Sequence, residues 1–240
     1  MELSIKGFIA TSLVDWPGKI SSVLFLAKCG FRCPACHNHR LVIDPDSLDD
    51  YPLDEILRQL KRRKGWIDGV TVTGGEPTAQ RNLPQLLHLL KEHGMRVKLD
   101  TNGSSPGMLA RVIESGLVDA IYMDVKAPLE AGYYSRAAGV PVNPAVIRKS
   151  IRILKASGLE AVFRTTVVPG LVEEPELKLI VEALGPVLRF VVQPFRNVET
   201  LNPNLRGVKE FSPDRFELMK SKFEIPAVTR VSPDRLAAVG

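Results

Sequence analysis

Cysteine is scarce in this chain: three residues among 240, with none beyond position 36. An odd, small number of cysteines in a chain long enough to bury a sizeable core argues against a disulfide framework and suits a reducing, cytoplasmic compartment. Aromatic residues make up only 6% of the chain, so the stacking platforms that single-stranded nucleic acids need are few. No apolar stretch approaches the roughly 18 residues required to span a membrane. The amino terminus alternates polar and apolar residues and lacks a charged segment followed by an apolar run, so no signal peptide is expected. Repeats and low-complexity tracts are also missing.

What remains is an ordinary globular composition, 45% hydrophobic and 25% charged. The length fits one α/β domain over residues 1–240. A net charge of +5 and a pI near 9.2 raise the question of nucleic acid. The densest basic cluster, Lys61 to Lys64, falls at the end of an expected helix, where cations offset the macrodipole, so a solvated helix end accounts for it. A basic face could also steer an acidic protein partner.

The hydrophobic period switches repeatedly between strand and helix. Strands are expected at 22–26, 70–73, 96–99, 120–125, 160–167 and 187–193. Helices are expected at 53–64, 83–93, 108–114, 146–156 and 176–184, stopped by Gly65, Gly94, Gly116, Gly158 and Gly185. Six such units are too few for a closed eight-unit barrel and predict a partial (β/α)6 TIM-like barrel of parallel strands over 21–193, with a doubly wound open sheet as the alternative. Residues 1–20 are expected to be an extension. Residues 194–240, with Pro203, Pro213, Pro226 and Pro233, are expected to form a tail of short elements.

All three cysteines lie in one loop after the first barrel strand, spaced CxxxCxxC: Cys29, Cys33 and Cys36. Three thiolates leave one iron of a four-iron cluster without a protein ligand, as a catalytic rather than structural centre requires. A Cys3His zinc site with His37 or His39 is the alternative, although structural zinc ligands usually come as two pairs from separate turns. Further chemistry-bearing residues fall at successive strand ends: Thr73-Gly74-Gly75-Glu76-Pro77, Asp100-Thr101-Asn102-Gly103, Asp124-Val125-Lys126, Val168-Pro169-Gly170 and Gln193-Pro194-Phe195-Arg196. Singly, each reads as a turn, and Asn102-Gly103 is a common turn pair. Together, beside three cysteines at the mouth of a barrel, they read as one site. His88 and His93 lie on an expected helix, away from it.

CxxxCxxC followed by Gly-Gly-Glu-Pro on this βα pattern resembles the radical S-adenosylmethionine superfamily over essentially the whole chain. The finer resemblance is to the glycyl-radical-enzyme activases, including those that serve anaerobic ribonucleoside-triphosphate reductase (an anaerobic ribonucleotide reductase). It is carried by Ile5-Lys6-Gly7-Phe8, Thr11 to Lys19, Cys36-His37-Asn38, Trp66 to Gly69, Leu99 to Gly103 and Asp124 to Lys126. The resemblance implies one 4Fe-4S cluster on Cys29, Cys33 and Cys36, whose open iron takes the amino and carboxylate groups of S-adenosyl-L-methionine. It implies Glu76 as acceptor of the amino group beside the Gly74-Gly75 backbone. Asp100 and Lys126 would contact the methionyl or ribosyl part, and Asp100, Thr101 and Asp124 would frame a monovalent cation. The implied reaction is reductive cleavage to a 5′-deoxyadenosyl radical that takes a hydrogen from a glycine of the partner enzyme, lying in a groove across the barrel mouth. A flavodoxin or ferredoxin would supply the electron, since no cysteines remain for a second cluster.

Two positions depart from the family pattern. Ala35 stands where an aromatic residue usually precedes the third cysteine and packs on adenine, and Arg196 stands where some formate-lyase activases carry histidine. Two other functions are weighed against the activase. One is a small-molecule enzyme like the 7-carboxy-7-deazaguanine synthases. The other is a zinc-containing nucleic-acid-binding protein, which leaves Gly74 to Pro77 and Asp124 to Lys126 unexplained.

Overall fold

The computed structural model describes residues 4–187 and 189–226. Seven strands form one sheet in sequence order: β1 (Ile5–Ser12), β2 (Ser21–Leu26), β3 (Gly69–Gly74), β4 (Arg96–Thr101), β5 (Ala120–Asp124), β6 (Glu160–Val167) and β7 (Phe190–Pro194). β1 is antiparallel to β2, and every later pair is parallel. The six parallel strands β2 to β7 match the expected partial barrel, and among the described residues the sheet does not close from β7 back to β1. Parallel strands need crossovers, which are supplied by α1 (His39–Ile43) with α2 (Leu53–Arg62), α3 (Leu83–Glu92), α4 (Pro106–Glu114), α5 (Ala131–Ala138) with α6 (Pro144–Ala156), and α7 (Glu174–Leu184). The five glycines expected to stop helices all have positive φ.

Alternation along each strand sorts two interiors. Val70, Val72, Val97, Leu99, Ile121, Met123 and Phe163 face the helices and join the large buried cluster with Leu86, Leu90, Leu109, Ile147 and Ile180. The opposite face carries Lys98, Asp100, Tyr122, Asp124 and Arg164, so the concave side of the barrel is polar toward its mouth. At its floor Trp16 is wholly buried against Ala120, Tyr122 and Val162. Gly69 is glycine because a Cβ there would stand 2.8 Å from the Trp16 ring and 2.6 Å from the Arg96 carbonyl. Trp16, within the stretch from Thr11 to Lys19 that is conspicuous in the sequence, thus supplies the floor, while Leu13 and Val14 of the same stretch are exposed.

Three elements go beyond the sequence expectations. Ile5–Ser12, expected as part of an extension, is the edge strand β1. α1 and α5 were not anticipated. Within the expected tail, α8 (Pro213–Phe223) buries Met219 and Phe223, while Phe190 and Ile225 exchange backbone hydrogen bonds at 2.9 and 3.0 Å. Pro233 and the rest of 227–240 lie outside the described residues. No helix among the described residues is long and apolar enough to cross a membrane.

Candidate active site

A cavity of about 250 Å³ opens at the carboxyl ends of the parallel strands. It is lined by every residue that the family resemblance implies as a ligand or contact: Cys29, Cys33, Cys36, Gly74, Gly75, Glu76, Asp100, Thr101, Asp124 and Lys126. The cysteine loop leaves β2 through Lys28, whose φ of +68° is the left-handed conformation that β-carbon-bearing residues seldom adopt. Two interactions pin that residue: its N–H donates to the Leu41 carbonyl at 2.7 Å and its carbonyl accepts from Glu76 N–H at 2.8 Å. The loop is braced from both flanks. On one side Arg32 N–H donates to the Ala138 carbonyl at 2.8 Å, and on the other Leu201 and Asn202 N–H groups donate to the Cys36 and Pro34 carbonyls at 3.1 and 3.0 Å.

Gly74 and Gly75 serve this bracing. A Cβ on Gly75 would stand 2.0 Å from the Lys28 carbonyl oxygen, and one on Gly74 would stand 2.4 Å from the Leu26 backbone. Only bare backbone lets the end of β3 lie this close to the start of the cysteine loop. Glu76, 1% exposed, ties the same corner together. Its Oε1 accepts from Thr78 N–H at 3.0 Å, Thr78 Oγ1 at 2.5 Å and Thr101 Oγ1 at 2.7 Å, while Oε2 accepts from Asn102 N–H at 2.6 Å. Burial pushes its carboxyl up, against the downward pull of these donors. Of the two oxygens, Oε2 keeps room for another donor.

Deeper in the barrel the charges alternate in sign. Lys98, completely buried, donates to Asp100 Oδ1 at 2.5 Å and lies 4.3 Å from the Tyr122 ring centre. Arg164 reaches Asp100 at 3.6 Å and donates through Nε to Asp124 Oδ1 at 2.8 Å, and Lys126 donates to Asp124 Oδ2 at 2.9 Å. Burial pushes the Asp124 carboxyl up, but Arg164 and Lys126 outweigh it and hold the group well below the usual carboxylate range. Burial likewise pushes Lys126 down, and Asp124 and Cys33 more than reverse it. A monovalent cation framed by Asp100, Thr101 and Asp124 would therefore share both carboxylates with Arg164.

Arg164 was missed in the sequence because it lies mid-strand. The available signal was its period-two place opposite Asp124 in the adjoining strand. His37, Asn38, Asn102, Thr166, Val168, Leu171 and Val172 also line the cavity, together with Ala35. Arg196 is not among the lining residues: its guanidinium pairs with Glu210 at 3.0 Å, and its carbonyl bonds His37 Nε2 at 2.8 Å. His88 lies on α3 beside Glu92, with 64% of its side chain exposed.

Burial pushes the Cys29 thiol up to about 11 and raises Cys33 and Cys36 as well, while Lys126 opposes the rise at all three. Three half-buried thiols beside one fixed cation suit a centre of several metals that carries negative charge.

Residues 23–181 match the family model described as the Radical SAM superfamily. A protein of Methanocaldococcus jannaschii, named as a glycyl-radical enzyme activating enzyme, is 28% identical over 199 residues covering 81% of each chain. The pyruvate formate-lyase-activating enzyme of Streptococcus mutans is 29% identical over 223 residues, covering 84% of this chain and 83% of its own. Among solved structures, TYW1 with a lysine–pyruvate adduct superimposes with a TM-score of 0.58 at 17% identity, covering 85% of this chain and 72% of that one, a likeness of fold.

Proposed function

The chain belongs to the radical SAM superfamily, and on that basis we propose that it binds a four-iron four-sulfur cluster through Cys29, Cys33 and Cys36 and S-adenosylmethionine beside it, to install a glycyl radical on anaerobic ribonucleoside-triphosphate reductase. An activase acting on a glycyl-radical enzyme accords with the relatives. The observation that carries the proposal is the convergence of three thiols, the Gly74-Gly75 corner, Asp100 and Lys126 on one cavity at the strand ends. When bound, the cluster and S-adenosylmethionine would supply the one-electron reductive chemistry needed to remove a hydrogen from the partner's glycine.

The chain's own part is placement. Lys126 offsets the negative charge of the thiolates, and its bond to Asp124 keeps it at the rim. Asp100, anchored from below by Lys98 and Arg164, presents its remaining acceptor capacity to the methionyl or ribosyl end. Glu76 Oε2 and the backbone beside Gly75 take the amino group. Val168, Leu171 and Val172 supply an apolar wall for adenine in place of the aromatic residue that Ala35 replaces. A low-potential flavodoxin or ferredoxin delivers the electron, because the chain has only these three cysteines.

The reductase is favoured as partner by the resemblance that Ile5–Phe8, Thr11–Lys19, Cys36–Asn38, Trp66–Gly69, Leu99–Gly103 and Asp124–Lys126 carry together, several of which the formate-lyase activases share. Pyruvate formate-lyase is the second reading, favoured by the Streptococcus mutans relative. Reconstituted protein, S-adenosylmethionine and a chemical reductant mixed anoxically with each glycyl-radical enzyme decide between them. A glycyl-radical resonance on the reductase and none on the lyase is expected, and the opposite pattern would transfer the assignment.

A further inference from the structure

Asn102 does more than complete a turn. Its Oδ1 accepts from Ser104 N–H at 2.9 Å, its own N–H is committed to Glu76, and the residue is 6% exposed. With the oxygen occupied by a backbone donor, the amide has one sensible orientation: the NH2 end faces the cysteine loop. There Nδ2 lies 3.6 Å from Cys29 Sγ, and Phe31 N–H reaches the same sulfur at 3.3 Å.

We infer that Asn102 is a positioning residue that acts on the cluster through Cys29, donating a hydrogen bond to its thiolate and so raising the cluster's reduction potential. Reduction adds one negative charge, part of which spreads onto the ligating sulfurs, and hydrogen bonds to those sulfurs are among the features that set cluster potentials. A donor aimed at Cys29 stabilises the reduced state more than the oxidised one, and its buried setting weakens competition from water. The same contact links the potential to the β4 end, because Asn102 is held by Glu76 and follows Asp100 and Thr101 directly. The inference rests on ligation of the cluster by Cys29, as proposed above.

Two substitutions separate the donor from the turn. Asn102→Ser keeps a neutral acceptor for Ser104 N–H but is too short to reach the sulfur, whereas Asn102→Ala removes both functions. Anoxically reconstituted full-length proteins are assayed for iron and sulfide and titrated potentiometrically, the reduced cluster being followed by its electron paramagnetic resonance without S-adenosylmethionine. Both variants are expected to hold wild-type iron and sulfide. At the wild-type midpoint their ratio of reduced to oxidised cluster should fall about tenfold, equivalent to about 59 mV for a one-electron couple. An unchanged midpoint in cluster-loaded variants would overturn the inference. Loss of the cluster from both variants, with wild-type circular dichroism, would overturn it too, by making Asn102 merely a brace. Failure of the wild-type protein to take up iron and sulfide would strike at the three-cysteine ligation itself.

Discussion

Asp124 shows how individual charges hold the site. It is the common partner of Arg164 and Lys126, and its removal would leave two cations facing each other in a half-buried cavity. Breaking such a pair costs more than never having had it, so Asp124→Asn should destabilise the fold by about 3 kcal/mol in urea unfolding at pH 7. The sign of the pH dependence follows from its lowered pKa. A carboxyl held below its unfolded-state value contributes stability that is complete above about pH 4 and is lost as the pH falls further. Wild-type stability should therefore decline below about pH 4 more steeply than that of Asp124→Asn, by urea midpoints at each pH; parallel declines would show that the pair contributes nothing to the acid response. These charges were half visible in the sequence. Asp124 and Lys126 end a strand and follow one another, but Arg164 sits within an apolar run, and only the register across β5 and β6 brings it to them.

At the scale of elements, α5 is the brace that pattern reading cannot see. Its eight residues, AGYYSRAA, bury Tyr134, Ala137 and Ala138, and small residues on a short helix leave no clear 3.6-residue period. Yet it ends at Gly139, φ +68°, where a Cβ would stand 2.0 Å from the Arg32 carbonyl inside the cysteine loop, and Tyr134 packs edge-on against Phe31 at 6.4 Å. Gly139→Ala should displace that loop, lowering stability by at least about 2 kcal/mol and reducing iron and sulfide uptake together. Full uptake with wild-type thermal stability would show that α5 does not brace the loop. The longer elements were readable because β-branched runs and glycine stops repeat in them: β6 has the expected bounds, and α3 and α4 are within two residues of theirs. β1 was not, since only its end residues Ile5 and Ser12 are buried, so half-exposed polar and apolar side chains mask the strand.

Across the whole molecule, stability and chemistry sit at opposite ends of one barrel. Trp16 closes the amino-terminal ends of the strands against Gly69, Arg96, Ala120 and Val162, while the thiols and the carboxylates gather at the carboxyl ends. Trp16→Ala should cost about 3–5 kcal/mol through loss of burial and an unfilled floor. Below its lowered melting temperature, the variant should still load iron and sulfide as the wild type does; loss of loading in folded protein would mean that the two ends are not separable. Cys36→Ala should do the reverse: S-adenosylmethionine cleavage is lost, while the melting temperature of the metal-free protein stays within a few degrees.

The central claim is a cluster held by three thiolates, with its fourth iron reserved for S-adenosylmethionine. Electron paramagnetic resonance of anoxically reconstituted, reduced protein, recorded with and without S-adenosylmethionine, tests it most directly. Incorporation of about four irons and four sulfides per chain, with a resonance that shifts when S-adenosylmethionine is added, is the predicted result. Protein that takes up no sulfide, or whose resonance is unmoved by S-adenosylmethionine, would contradict it.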